Sequence, residues 1–123
     1  MIKVTLDDGT FRVWNGREEE WASEAAAGWS PLEMMEGALA LCVAKSLQAI
    51  MKRDDLEAEE MEVLLQSRKA EAGASRVEHF QVEVSLPSYL NSEYQEKLLK
   101  HASMICTIGN TYKRGSEISY NII

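Results

Sequence analysis

Cysteine, histidine and proline occur only twice each in this chain of 123 residues, and basic residues are outnumbered, 13 Lys and Arg against 20 Asp and Glu. Each shortage excludes something. There is no Cys-x-x-Cys, and His79 and His101 lack ligand spacing, so neither zinc nor any other metal or cofactor is expected. The net charge of −7 is spread over a surface whose basic pairs, Lys52-Arg53, Arg68-Lys69 and Lys113-Arg114, are scattered among acidic runs. Phosphate backbones need clustered cations, which argues against a nucleic-acid partner. The longest apolar run, Gly37 to Ala44, falls well short of the ~20 residues of a membrane span. Met1 to Leu6 runs straight into a strand pattern without the apolar core of a signal peptide. A cytoplasmic location follows as the expectation, and a structural disulfide is not expected there. Cys42 and Cys106 are left as inert core thiols or as a pair that does redox chemistry.

What is present describes one α+β domain over residues 1–123. The apolar fraction of 46% is that of a globular protein. Ile2, Val4 and Leu6 alternate with polar residues up to Asp8-Gly9, and Phe11 and Val13 alternate after it, which predicts a hairpin. Arg17 to Trp21 is a candidate third strand. Ser30-Pro31-Leu32-Glu33 combines an N-cap Ser, Pro at the first helical position and Glu at the third, and predicts a helix to about Lys52. Its middle, Gly37 to Ala44, is apolar all round and should be buried, with Leu32, Met35, Leu39, Cys42 and Ser46 on one stripe. Strands are predicted from Met61 to Glu71 and around Phe80 to Leu86. Ser92 to Gln95 has capping-box spacing and should open a helix with Tyr94, Leu98, Ala102 and Ile105 on its buried face, which Gly109 and Asn110 should interrupt or bend. Gly115 is a candidate C-cap. Ile118, Tyr120 and Ile122 read as a last strand, giving the order ββ(β)–α–ββ–α–β.

A thiol acts as a nucleophile only as thiolate, which a nearby positive charge favours and burial opposes. On periodicity alone Cys42 reads as a small core hydrophobe, and so does Cys106. The segment from Ser30-Pro31-Leu32 to Leu41-Cys42 resembles the helix of the OsmC/Ohr family, in which a Pro near the helix start precedes a cysteine by eleven positions. Cys106-Thr107-Ile108-Gly109-Asn110-Thr111, followed by a Gly and a final strand, resembles the segment carrying that family's second cysteine. The likeness covers roughly residues 28–123 and fits the OsmC-like branch better than a close Ohr or OsmC match.

The resemblance implies antiparallel sheets around a long central helix in an intertwined homodimer. It also implies a thiol-dependent peroxidase acting on an organic hydroperoxide. Cys42 would become a sulfenic acid and Cys106 would condense with it to a disulfide. A dithiol or a lipoylated protein would restore both thiols. The apolar lining expected around Cys42 is Met35, Leu39 and Trp29, with Met34 and Trp21 beside them. An activating arginine should come from the N-terminal segment, where Arg12 and Arg17 are the candidates. Two positions depart from the family pattern. Leu32 stands where the peroxidases carry an acid after the Pro, and Glu33, ~100° further round the helix, serves the cap instead. Thr107 replaces a Pro after the second cysteine. These departures keep open a non-catalytic dimeric module that binds a small apolar ligand or senses redox state, and a purely structural pair of thiols.

Overall fold

The computed structural model describes residues 1–16 and 28–123, so the candidate strand at Arg17 to Trp21 lies outside the described residues. Strand β1 (Ile2–Asp7) turns back into β2 (Thr10–Trp14) through Asp8 and Gly9, with φ of 47° and 77°. Positive φ at both central residues matches the right-handed twist of the strands, and glycine reaches it at no steric cost. Two longer strands, β3 (Glu60–Lys69) and β4 (Val77–Ser85), complete one antiparallel sheet of order β2-β1-β3-β4. The register sets Val4 against Val63 and Leu6 against Met61, so the apolar halves of β1 and β3 share one face.

Helix α1 (Pro31–Arg53) covers that face. The predicted capping box forms in full: Ser30 Oγ accepts from the Glu33 amide at 3.1 Å, and Glu33 Oε1 accepts from the Ser30 amide at 2.9 Å. Leu39, Ala40, Val43, Ala44, Leu47, Ile50 and Met51 are buried against Ile2, Val4, Leu6, Met61, Val63 and Leu65. By length and composition α1 is apolar enough to cross a membrane, which the shorter run seen in the sequence understated, but half of that stretch is buried within the fold. The expectation that the whole middle is buried needs correcting. Ala38 is exposed, and Leu41 and Cys42 are half-buried, because the sheet covers one side of the helix and α2 only part of the other.

Helix α2 (Ser92–Ile105) begins one residue earlier in its capping than expected. Asn91, not Ser92, is the N-cap, its Oδ1 accepting from the Tyr94 amide at 2.8 Å. Asn is a strong N-cap because its side-chain oxygen satisfies an amide left without a helical partner. Leu98 and Ala102 are buried as predicted, whereas Ile105 is 53% exposed, beyond the part of α2 that α1 covers. The predicted interruption at Gly109 and Asn110 occurs earlier, at Cys106, and both residues lie inside a separate helix, α3 (Thr107–Arg114). Gly115, at φ 75°, ends it. Residues 116–123 form no strand, and Ile118, Tyr120 and Ile122 project into solvent. Their alternation suits a strand, but a strand exists only where an edge pairs with it.

Candidate functional site

Helix–helix packing brings the two cysteines together. Cys42 sits on the fourth turn of α1, half-buried. Cys106 is buried at the joint between α2 and α3, where its backbone (φ −70°, ψ 107°) closes one helix and opens the next. Its amide donates to the Ala102 carbonyl at 3.0 Å, and its Sγ accepts from the Gly109 amide at 3.3 Å. A sulfur in the N-cap position is a weak acceptor, so α3 is opened by a group with another capacity. A Cβ on Gly109 would meet Cys106 Sγ at 3.4 Å and Leu39 Cδ1 at 3.6 Å, which shows how closely α3 lies over the thiol.

Both cysteines are free thiols, and they are near enough for Cys42 to act on the Cys106 thiol. Burial pushes the Cys106 thiol up to about 11, and the contact with Cys42 pushes in the same direction; the Gly109 and Ile108 amides oppose both. The fold therefore favours the neutral Cys106 thiol. Tyr112 on α3 completes the joint. Its hydroxyl donates to the Met35 carbonyl at 2.7 Å, and its ring stacks on Phe80 of β4, with centroids 5.1 Å apart. Burial raises the Tyr112 pKa, and the neighbouring Cys106 and Cys42 raise it further.

The remaining sequence candidates are dispersed. Leu39 lines a cavity together with Cys106. Met35 meets the site through its backbone carbonyl, and its side chain is 38% exposed. Trp29 packs against Gly37, where an added Cβ would lie 2.9 Å from the indole Cζ3. Arg12 is exposed on β2, in a groove with Glu60 and Glu62 that contains neither cysteine. Arg17 lies outside the described residues.

Three residues that the sequence reading passed over stand at or near the site. Lys45, one turn along α1 from Cys42, lines the same surface hollow, and its i,i+3 spacing was the available signal. Glu36 is a buried carboxylate on α1 that accepts from Ser67 Oγ at 2.9 Å. Its place on the buried stripe with Leu39 and Val43 was visible in the helical period. Tyr112 had no local signal, because its partners Met35 and Phe80 are distant in sequence. Among the described residues, no three His, Cys, Asp or Glu side chains converge as a metal site would require.

The profile of the family described as OsmC-like protein matches residues 23–121. No curated protein is similar enough in sequence to count as a relative. Among solved structures, an OsmC-like hydroperoxide resistance protein from Jannaschia sp. CCS1 superposes with a TM-score of 0.72 at 19% identity, covering 99% of this chain and 93% of that one. An organic hydroperoxide resistance protein from Elizabethkingia anophelis gives 0.62 at 17% identity, over 94% and 89% of the two chains. The organic hydroperoxide resistance protein OhrB of Bacillus subtilis gives 0.56 at 22% identity, over 94% and 91%. At these identities the likeness establishes the α+β fold.

Proposed function

This chain belongs to the OsmC-like protein family, and from that premise we propose that it is a thiol-dependent peroxidase reducing organic hydroperoxides through a two-cysteine cycle. The observation that carries the proposal is the juxtaposition of Cys42, partly open to solvent, and the buried Cys106, both free thiols. Structural neighbours named for resistance to organic hydroperoxides support it.

In the cycle, the Cys42 thiolate attacks the terminal oxygen of the hydroperoxide. The O–O bond breaks, the alkoxide leaves and takes up a proton as an alcohol, and Cys42 becomes a sulfenic acid. The Cys106 sulfur then attacks Cys42, its proton leaving with the hydroxyl as water, and a disulfide forms. An external dithiol or a lipoylated protein returns two electrons and two protons. No resident cofactor enters the cycle. Lys45 is the described cation that shares the hollow with Cys42, whereas the candidate Arg12 lies in a groove without either cysteine and Arg17 lies outside the described residues.

A homodimer belongs to this reading. Ala38, Leu41 and Ala49 on the outer side of α1, with Ile105 beside them, leave an apolar surface that a second copy would cover. The apolar tail at Ile118, Tyr120 and Ile122 likewise calls for a partner surface. The working compartment is the cytoplasm, where dithiol reductants keep the cycle supplied.

One observation favours a second reading. A thiol pushed to about 11 is a reluctant nucleophile, which suits a dimeric module that binds a small apolar ligand or registers a single oxidation. The assay is consumption of cumene hydroperoxide in the presence of dithiothreitol. The peroxidase reading expects multiple turnovers, abolished by Cys42→Ser, while Cys106→Ser stops after oxidation of Cys42. A single stoichiometric oxidation favours the second reading, and unchanged turnover in Cys42→Ser refutes the first.

A further inference from the structure

The two cysteines are neighbours but face different openings. Cys106 lines a half-open cavity of about 410 Å³ between β4, α1, α2 and α3. Leu39, Val43, Val82 and Leu99 make it apolar, and among the described residues its ionisable groups are Lys113, His79, Glu78 and the site residues Cys106 and Tyr112. Cys42 is absent from that lining. It opens instead into a shallow hollow with Ala38, Lys45 and Thr107. The body of α1 separates the two approaches, since Leu39 and Val43 look into the cavity while Ala38 and Lys45 look into the hollow. A cavity of this size and lining is of the kind that holds a small organic molecule.

We propose that the cavity beside Cys106 is the docking site of the reductant, an apolar dithiol, which attacks the Cys106 sulfur of the disulfide while the hydroperoxide reaches Cys42 from the opposite side of α1. The proposal rests on the two-cysteine cycle. In the first step a reductant thiolate bonds to Cys106 Sγ, the Cys42–Cys106 bond breaks, and Cys42 leaves as a thiolate. In the second, the other reductant thiol loses its proton and attacks the sulfur bound to Cys106. Cys106 leaves and is reprotonated, and the reductant departs as a cyclic disulfide. Two electrons and one proton have then passed to the protein, and Cys42 is left as the thiolate that begins the next cycle.

The acidity of the site agrees with this direction. Exchange is faster when the leaving thiol has the lower pKa. Attack at Cys42 would have to expel Cys106, pushed to about 11, in the bimolecular step. Attack at Cys106 defers that expulsion to a ring closure within the mixed disulfide, where proximity offsets it.

The test begins from protein oxidised with diamide, so that it does not depend on peroxidase activity. Oxidised protein is exposed briefly to 1-hexanethiol, which cannot close a ring, then quenched in acid with a maleimide present and mapped by peptide mass spectrometry. The hexyl adduct is expected on Cys106 and the maleimide on Cys42, in a ratio of at least ~10 to 1, the factor corresponding to ~1.4 kcal/mol. A hexyl adduct mainly on Cys42 overturns the proposal. In a second arm, the rate of reduction by 1,6-hexanedithiol is divided by that with dithiothreitol. Leu99→Trp, which fills the mouth, and Leu99→Asp, which charges it, should each lower that ratio several-fold; Leu99 is already 39% exposed, so both variants should fold. An unchanged ratio in folded variants also overturns the proposal. Failure of diamide to form the Cys42–Cys106 disulfide sinks both this inference and the peroxidase reading. A disulfide that forms with diamide but not with cumene hydroperoxide sinks the peroxidase reading alone.

Discussion

Replacing Tyr112 with phenylalanine removes one hydroxyl and leaves the ring on Phe80 in place. The hydroxyl donates to the Met35 carbonyl at 2.7 Å and ties α3 to α1 across the chain. Helix α3 has eight residues, none of them buried, and a helix of that length is not stable by itself. Its docking therefore depends on a few contacts: the Tyr112 bond, the stacking on Phe80, and the cap at Cys106. A hydrogen bond of this type contributes ~1 kcal/mol net. Its loss should raise the population in which α3 is undocked by ~5-fold, without affecting the sheet. Native-state hydrogen exchange reads this directly. The Asn110 amide bonds the Cys106 carbonyl and the Gly115 amide bonds the Thr111 carbonyl, so both should exchange ~5-fold faster in Tyr112→Phe, while amides in the middle of α1 keep their rates. Unchanged exchange at Asn110 and Gly115 would show that the hydroxyl does not hold α3. Equal acceleration in α1 would show that it acts on global stability instead.

Two further outcomes follow from the same geometry. At Gly37 and Gly109 the substitution to alanine should have opposite signs in denaturant unfolding. Gly37→Ala forces a Cβ to 2.9 Å from the buried Trp29 ring, an overpacking of ~1–3 kcal/mol against ~1 kcal/mol of helix propensity, a net loss of about 1 kcal/mol. Gly109→Ala meets nothing nearer than 3.4 Å, so a gain of ~0.5–1 kcal/mol should remain; the same sign at both sites contradicts the packing argument. The second outcome concerns pH. Folding raises the Cys106 thiol from an ordinary value of 9.0 to about 11, so the neutral thiol is what the fold favours. That stabilisation is complete below about pH 9 and fades as pH rises through about 11. The melting temperature of the reduced protein should therefore fall more steeply over that window than that of Cys106→Ala. Tyr94, raised to about 12 by burial and by Asp54, is common to both proteins and cancels in the comparison. Parallel curves would show that Cys106 is not held neutral by the fold.

Local chemistry wrote much of this protein into its sequence. Asp8-Gly9 fixed the first hairpin, because few other pairs accept positive φ twice in succession. Ser30-Pro31-Leu32-Glu33 fixed the start of α1 to the residue, because a capping box involves only neighbours within one turn. The alternation of β1 and β3 gave the buried face, and the likeness of the Cys42 and Cys106 segments gave the family. Where the competing choices are equally local, the sequence was ambiguous. Asn91 and Ser92 both cap well, and the break before α3 fell at Cys106 because the chain must turn there to reach α1, while Gly109 lies inside α3 and makes no bend.

Only the tertiary structure decided what the cysteines face. Sequence spacing carries no information on the distance between residues 42 and 106, since that depends on how α1 and α2 pack. The same packing set Cys42 half open and Cys106 buried, brought Lys45 into one hollow and Leu39 into a separate cavity, and joined Tyr112 to Met35. It also left Ile118, Tyr120 and Ile122 without a strand, because a periodic pattern supplies one face of a pairing and the other must come from an edge elsewhere.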